Sequence, residues 1–137
     1  MNYSNGASAY RQTRVLGSSR EQLVVLLYDH LLVSLRRAAM QIRAGDVDGR
    51  ADSLERASDI VFELVSALDR ERGGEIASRL AALYAYFIGE ISGVTRKPDV
   101  PRLERLTSLV AALHESWSKA ATMAVTPVAT TEGDYLA

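Results

Sequence analysis

Three observations predict an all-α chain folded as an antiparallel four-helix bundle with an N-terminal docking arm. Four segments carry apolar residues at alternating three- and four-residue spacing, the period of a helix that buries one side. Short stretches rich in Gly, Pro and Asp separate them, which favours antiparallel neighbours over long crossovers. A length of 137 residues suits one domain with a single core.

Residues 1–9 are small and polar without a period, and "YRQTRVLG" (10–17) adds one aromatic and a Val-Leu pair. Residues 1–17 are therefore read as a flexible arm that docks on the domain. The bundle is expected over 18–122. Helix one opens at Ser18 or Ser19, each with a capping-box partner three residues on, Glu21 or Gln22. It runs to about Ala44, where "AGDVDG" supplies a turn.

Helix two begins near Asp46 or Asp48, carries Leu54, Ala57, Val61, Leu64 and Leu68, and ends at Gly73-Gly74. Helix three is expected from about Glu75 to Thr95, with Ile76, Leu80, Leu83, Phe87 and Ile91 in line. "RKPDVP" then breaks the chain, and Asp99 caps helix four with Pro101 in its first turn. Its seam is Leu103, Leu106, Val110, Leu113, Trp117 and Ala120. Beyond Met123 no helical period remains, so 123–137 are read as a disordered tail.

Helices two and four obey a one-stripe rule, whereas one and three carry too much apolar surface. At about 100° per residue, helix one's core stripe is Val24, Leu27, Tyr28, Leu31, Leu35, Ala38 and Ile42, and Val25, Leu26, Leu32 and Val33 fall outside it. In helix three, Ala81, Ala85 and Ile88 lie off the core line, with Tyr84 at its edge. Each Leu or Val taken out of water is worth roughly 1.5–3 kcal/mol, so several left together make a patch that monomers avoid unless it binds something. The alternatives are mutual packing, cover by the N-terminal arm, a homodimer interface, or a groove for an amphipathic or extended segment of another protein.

Catalysis and metal binding find no support. The chain has no Cys, hence no disulfide, thiolate ligand or thiol nucleophile. Asp29 and His30 are adjacent on a helix and point about 100° apart, so they form no dyad. His114 is isolated, no Glu-x-x-His pair of the di-iron kind occurs, and no Gly-rich loop has Walker spacing. No cofactor is expected.

A net charge of -1 is a poor profile for a nucleic-acid partner, although Arg11, Arg14, Arg20, Arg36, Arg37 and Arg43 form a local basic excess. No run reaches the ~18 apolar residues of a membrane span, and the start "MNYSNGASAY" lacks the pattern of a signal peptide. A cytoplasmic protein without membrane insertion is expected.

The segment "AYRQTRVLGSSREQLVVLLYDHLLVSLRRA" (Ala9–Ala38) resembles the opening of the flagellin export chaperones known as FliS. That family shows a Tyr-containing arm, a Ser-rich helix start, then Leu and a Leu-Tyr-Asp-Gly core. Tyr10, Ser18-Ser19, Leu23 and Leu27-Tyr28-Asp29 stand at those positions. "LAALYAYF" (Leu80–Phe87) and "LHESWSKA" (Leu113–Ala120) resemble its third-helix Tyr segment and late Trp, so the likeness covers about residues 9–121. Arg20 replaces the family's Pro, and His30 its Gly.

The resemblance implies a non-catalytic chaperone of type III flagellar export. It would bind the C-terminal segment of flagellin, hold it in an extended, partly helical form, and block premature polymerisation. The partner-binding residues expected on this reading are Tyr10, Leu16, Leu23, Val25, Leu26, Asp29 and Leu32, with Ala81, Tyr84, Ala85 and Ile88 on helix three. Other flagellar export or regulatory proteins are possible partners. The alternative is a homodimeric helical adaptor that spends its spare apolar surface on itself.

Overall fold

The computed structural model of the chain describes residues 19–136, with the side chains of Arg70 and residues 124–136 left aside. Four helices follow in order: α1 (Arg20–Ala44), α2 (Val47–Ser66), α3 (Arg70–Arg96) and α4 (Val100–Leu136). The fold is an all-α bundle, as the spacing predicts. The chain divides into two compact units, one of Leu27–Ala112 and one of Met1–Leu26 with Leu113–Ala137. The expected arm, with Tyr10 and Leu16, lies outside the described residues.

Helix ends follow from local chemistry. At α1 the backbone N–H of Gln22 donates to Ser19 Oγ at 3.1 Å, and that of Ser19 donates to Gln22 Oε1 at 3.1 Å. This is a reciprocal capping box, and it selects Ser19 over Ser18. The other end closes on Gly45, whose φ of +74° suits the one residue without a Cβ to clash. There Gly45 N donates to the Ile42 carbonyl at 3.1 Å and Asp46 N to that of Gln41 at 2.9 Å, a Schellman closure.

Asp46 then caps α2, accepting from Gly49 N at 2.9 Å. Gln41 ties this corner together. With its amide nitrogen turned inward it donates to the carbonyls of Arg37 (3.2 Å) and Gly49 (3.0 Å) and to Ser53 Oγ (2.6 Å). The opposite orientation would set its oxygen against two carbonyls. Ser53 is buried, so this bond removes the penalty of an orphaned hydroxyl.

Gly49 leaves the corner its space, because a Cβ there would stand 2.2 Å from Asp46 Oδ2 and 2.8 Å from the Gln41 side-chain amide. Gly49→Ala is accordingly expected to lose the cap and lower stability by about 0.5–2 kcal/mol in urea denaturation. An unchanged midpoint would show that the corner tolerates the methyl group.

Helix α2 buries Leu54, Ala57, Ile60, Val61 and Leu64 and packs along α3. It stops at Ser66, short of the Gly73-Gly74 end expected from sequence. Asp69 is the reason: its side chain accepts from Arg72 N at 3.0 Å and starts a new helix. Gly74, at φ 50° and ψ −121°, is a kink inside α3 instead of a terminator.

Beyond the kink α3 buries Ala77, Tyr84, Phe87, Ile91 and Val94. Counting back from Val94 in threes and fours passes through Tyr84 and Ala77. Ile76, expected in the core line, is left 68 % exposed.

Asp99 caps α4 as expected, accepting from Arg102 N at 3.0 Å. The Arg102 guanidinium grips Glu90 of α3 through two bonds of 2.8 and 3.0 Å. It lies over Gly93, where a Cβ would come within 2.4 Å of Arg102 Nη1. The paired guanidinium holds the Glu90 carboxyl below its ordinary range. Leu103, Leu106 and Val110 are buried. The helix continues to Leu136, beyond the Met123 end expected from sequence, and no apolar period in 124–136 accounts for these last turns.

In the unit of residues 27–112, Tyr28, Leu31 and Leu35 of α1 are fully buried. Tyr28 OH donates to Tyr84 OH at 3.2 Å, with ring centroids 6.5 Å apart at 60°. Phe87 leans on Tyr84 at 5.8 Å. In the other unit Val24 and Ala121 are buried, and Leu113, Trp117 and Ala120 are half-buried.

Candidate functional site

The outward faces of the 27–112 unit follow from which helices its polar clasps join. On α1, Arg43 pairs with Glu104 of α4. Asp29, Leu32 and Arg36 fall within about 40° of Arg43 around the helix axis, so one stripe of α1 runs along the side toward α4. Gln41 reaches Ser53 of α2 from the opposite flank.

On α3 the same logic separates the flanks. Glu90 reaches α4, whereas Ala81, Ala85 and Ile88 lie about 140–180° away from it, on the side toward α2. On α2, Phe62 lies about 180° from Ser53, on the side away from α1 and toward α3. Phe62 is 57 % exposed, although helix two was expected to keep to one stripe.

Two surfaces result, on opposite flanks. The α2–α3 flank carries exposed Phe62, exposed Ala85, and half-buried Ala81 and Ile88. The α1–α4 flank is cleft: Ala39 forms the floor with Thr107 and Ala111, and Met40, Arg43 and Glu104 stand at its walls. The cleft encloses about 550 Å³.

The sequence-derived residues divide accordingly. Asp29 is exposed, and Leu32, expected outside the core, is buried at the base of the α1 stripe. Tyr84, expected at the edge of the core, is buried within it and committed to Tyr28; burial pushes its phenol up, against the opposing pull of that hydrogen bond. Leu23, Val25 and Leu26 are half-buried in the other unit, and Tyr10 and Leu16 lie outside the described residues. The helix-one and helix-three sets within the 27–112 unit therefore do not line one common groove.

The residues missed by sequence reasoning are Phe62 and the cleft wall of Arg36, Met40 and Arg43. An aromatic residue off the α2 seam was the available signal for Phe62. The cleft gave none, because Ala, Thr and Ser are not counted as an apolar face.

Among the described residues no cluster of His, Asp or Glu could hold a metal ion, and no helix is long and apolar enough to cross a membrane. The fold and its two uncovered flanks define a helical protein that presents apolar surface to solvent.

A family model described as "Flagellar protein FliS" matches residues 3–124. The flagellar secretion chaperone FliS of Salmonella typhimurium is 31% identical over 121 residues, covering 85% of this chain and 90% of that protein. The flagellar secretion chaperone FliS of Campylobacter jejuni is 31% identical over 110 residues, covering 80% and 86%. That of Bacillus subtilis is 27% identical over 120 residues, covering 88% and 89%. The chain belongs to the FliS family of flagellar secretion chaperones.

Proposed function

We propose that this protein binds the C-terminal segment of flagellin in the cytoplasm, prevents its premature polymerisation and assists its delivery to the type III flagellar export route. The observation that carries this reading is the presence of uncovered apolar surface on two opposite flanks of one bundle unit. A compact partner docks on one face. A chain that is disordered before assembly can reach both, and the cost of ordering it, about 2–5 kcal/mol or more, calls for several separated anchors.

The anchors proposed are Asp29 and Leu32 on α1, Ala81, Ala85 and Ile88 on α3 with Phe62 beside them, and Leu23, Val25 and Leu26 near the start of α1. Tyr10 and Leu16 join them on the strength of the resemblance. Tyr84 would act from beneath, by supporting the α3 surface. Other flagellar export or regulatory proteins would compete for the same flanks.

The test is calorimetric titration with the C-terminal segment of the organism's own flagellin. Expected are one-to-one binding with a negative heat-capacity change and a loss of roughly tenfold or more in affinity for Phe62→Asp, since burying such a side chain is worth about 1.5–3 kcal/mol. Phe62 is the better probe than Leu32 because its exposure spares the fold. No binding at any temperature, with a dimeric mass in sedimentation, would overturn the reading in favour of self-association.

A further inference from the structure

The outward ridge of α1 carries apolar and basic residues that the proposed function does not absorb. Val33 and Met40, 52 % and 67 % exposed, stand seven residues apart on one line of the helix, about 10 Å from each other. Leu31, Leu35 and Ala38 are buried on the opposite side. Arg36 and Arg37 stand about 50° to either side of the Val33–Met40 line, and both are exposed.

Neither of these two arginines makes a hydrogen bond or ion pair among the described residues. Arg43, further along, has its charge met by Glu104. Asp29, a carboxylate at the start of the ridge, is not free. The ridge thus presents two uncompensated positive charges around two apolar tips.

The acidic side of the unit lies elsewhere. On α2, Asp48, Asp52, Glu55 and Asp59 are exposed and fall within about 60° of one another, about 130° from the Ser53 that faces α1. Their i,i+3 and i,i+4 spacing makes them repel one another. A net charge of -1 therefore conceals a separation, with positive charge on the α1 ridge and negative charge on α2 turned away from it.

We propose that the α1 ridge is a docking surface for the anionic headgroups of a lipid bilayer, on which the protein rests reversibly without inserting. The inference does not depend on the flagellin reading.

Cations flanking a narrow apolar line are the pattern of a helix face that lies in the headgroup layer. The arginine stems cover apolar surface while their guanidiniums reach the phosphates, and Val33 and Met40 dip between them. Val33 and Arg37 stand outside the α1–α4 cleft, so an acidic peptide would find no pocket at them. A plane of headgroups needs none. The net charge supplies no attraction to such a plane. The separation of charge does, because it turns α1 toward the surface and α2 away from it. Two cations make the attachment weak, each worth about fivefold in partition.

The test is flotation of the full chain with vesicles of phosphatidylcholine alone, and of phosphatidylcholine with an equal part of phosphatidylglycerol, at two salt concentrations. The parent should float with the anionic vesicles only, and less at high salt, where the exposed charges are screened. Arg37→Gln should weaken the partition about fivefold, Arg37→Glu further, and Val33→Ser about threefold to tenfold. Arg37→Lys should partition like the parent, since headgroups read the charge whereas a protein carboxylate reads the two-donor fork. Val33 and Arg37 are exposed, so all these variants are expected to melt with the parent.

Failure of the parent to float with anionic vesicles would overturn the proposal. So would equal flotation with both compositions, or Arg37→Glu and Val33→Ser variants that partition like the parent. An Arg37→Lys loss as large as that of Arg37→Gln would reassign the ridge to an acidic protein. In each of these cases the flagellin reading stands, because its titration contains no lipid.

Discussion

Phe87→Ala is expected to lower the unfolding free energy by about 3–5 kcal/mol, measured as a shift of the urea midpoint at constant slope. Phe87 is fully buried, and its ring leans on Tyr84 and, at 6.5 Å, on Tyr86. Truncation removes that contact and opens a void that Tyr84, fixed to Tyr28, cannot fill. Total stabilities of small domains are about 5–15 kcal/mol, so this single change consumes a large fraction. Ile76→Ala is the control. Its spacing predicts a core residue, but it is 68 % exposed and should cost under about 0.5 kcal/mol. Equal costs at the two positions would overturn the register given for α3.

The second large effect is expected from the phenol pair. Tyr28→Phe or Tyr84→Phe removes one hydroxyl and with it the buried hydrogen bond of the pair, at about 1–3 kcal/mol each. The double variant should cost less than the sum of the singles, because two apolar edges facing each other need no hydrogen bond. A coupling of at least about 0.5 kcal/mol in the double-mutant cycle is expected; strict additivity would mean that the 3.2 Å contact contributes nothing.

The pair also predicts an alkaline limb. Burial raises the Tyr84 phenol, so the folded state keeps a proton that the unfolded chain gives up at its ordinary value. The resulting stability is complete below the unfolded pKa of about 10 and is lost as pH rises through the folded one. Tyr84→Phe should flatten that decline.

Much of the fold is legible in the sequence because caps are local chemistry. Asp46, Asp99 and Ser19 each act within three residues of themselves, and Gly45 needs only its own φ. The misreadings occur where two local signals compete. Leu68 extends the α2 seam by spacing, but Asp69 beside it is the stronger signal and begins another helix. Once Gly74 is a kink, the period of α3 must be counted from its far end, which exchanges Ile76 for Ala77.

The candidate surfaces are less legible for a different reason. Counting apolar residues finds Leu32 and Val33 but cannot tell that the first is buried and the second 52 % exposed. That depends on which neighbour lies on which flank, and the flanks are set by Arg43–Glu104, Gln41–Ser53 and Glu90–Arg102. These pairs are separated by 61, 12 and 12 residues, and no periodicity links them.

The opposite placement of the two flanks bears on how long a client stays and how it leaves. Under the proposed function, a segment lying on both is bivalent, and its own chain keeps the second part near its seat at an effective concentration of order millimolar. Each grip can then be weak alone while the pair has a long residence time. Detachment proceeds by stages: one grip opens, and the freed end can be captured before it returns. Such a chaperone can surrender its client end first, by competition at one flank, without ever having to release the whole interface at once.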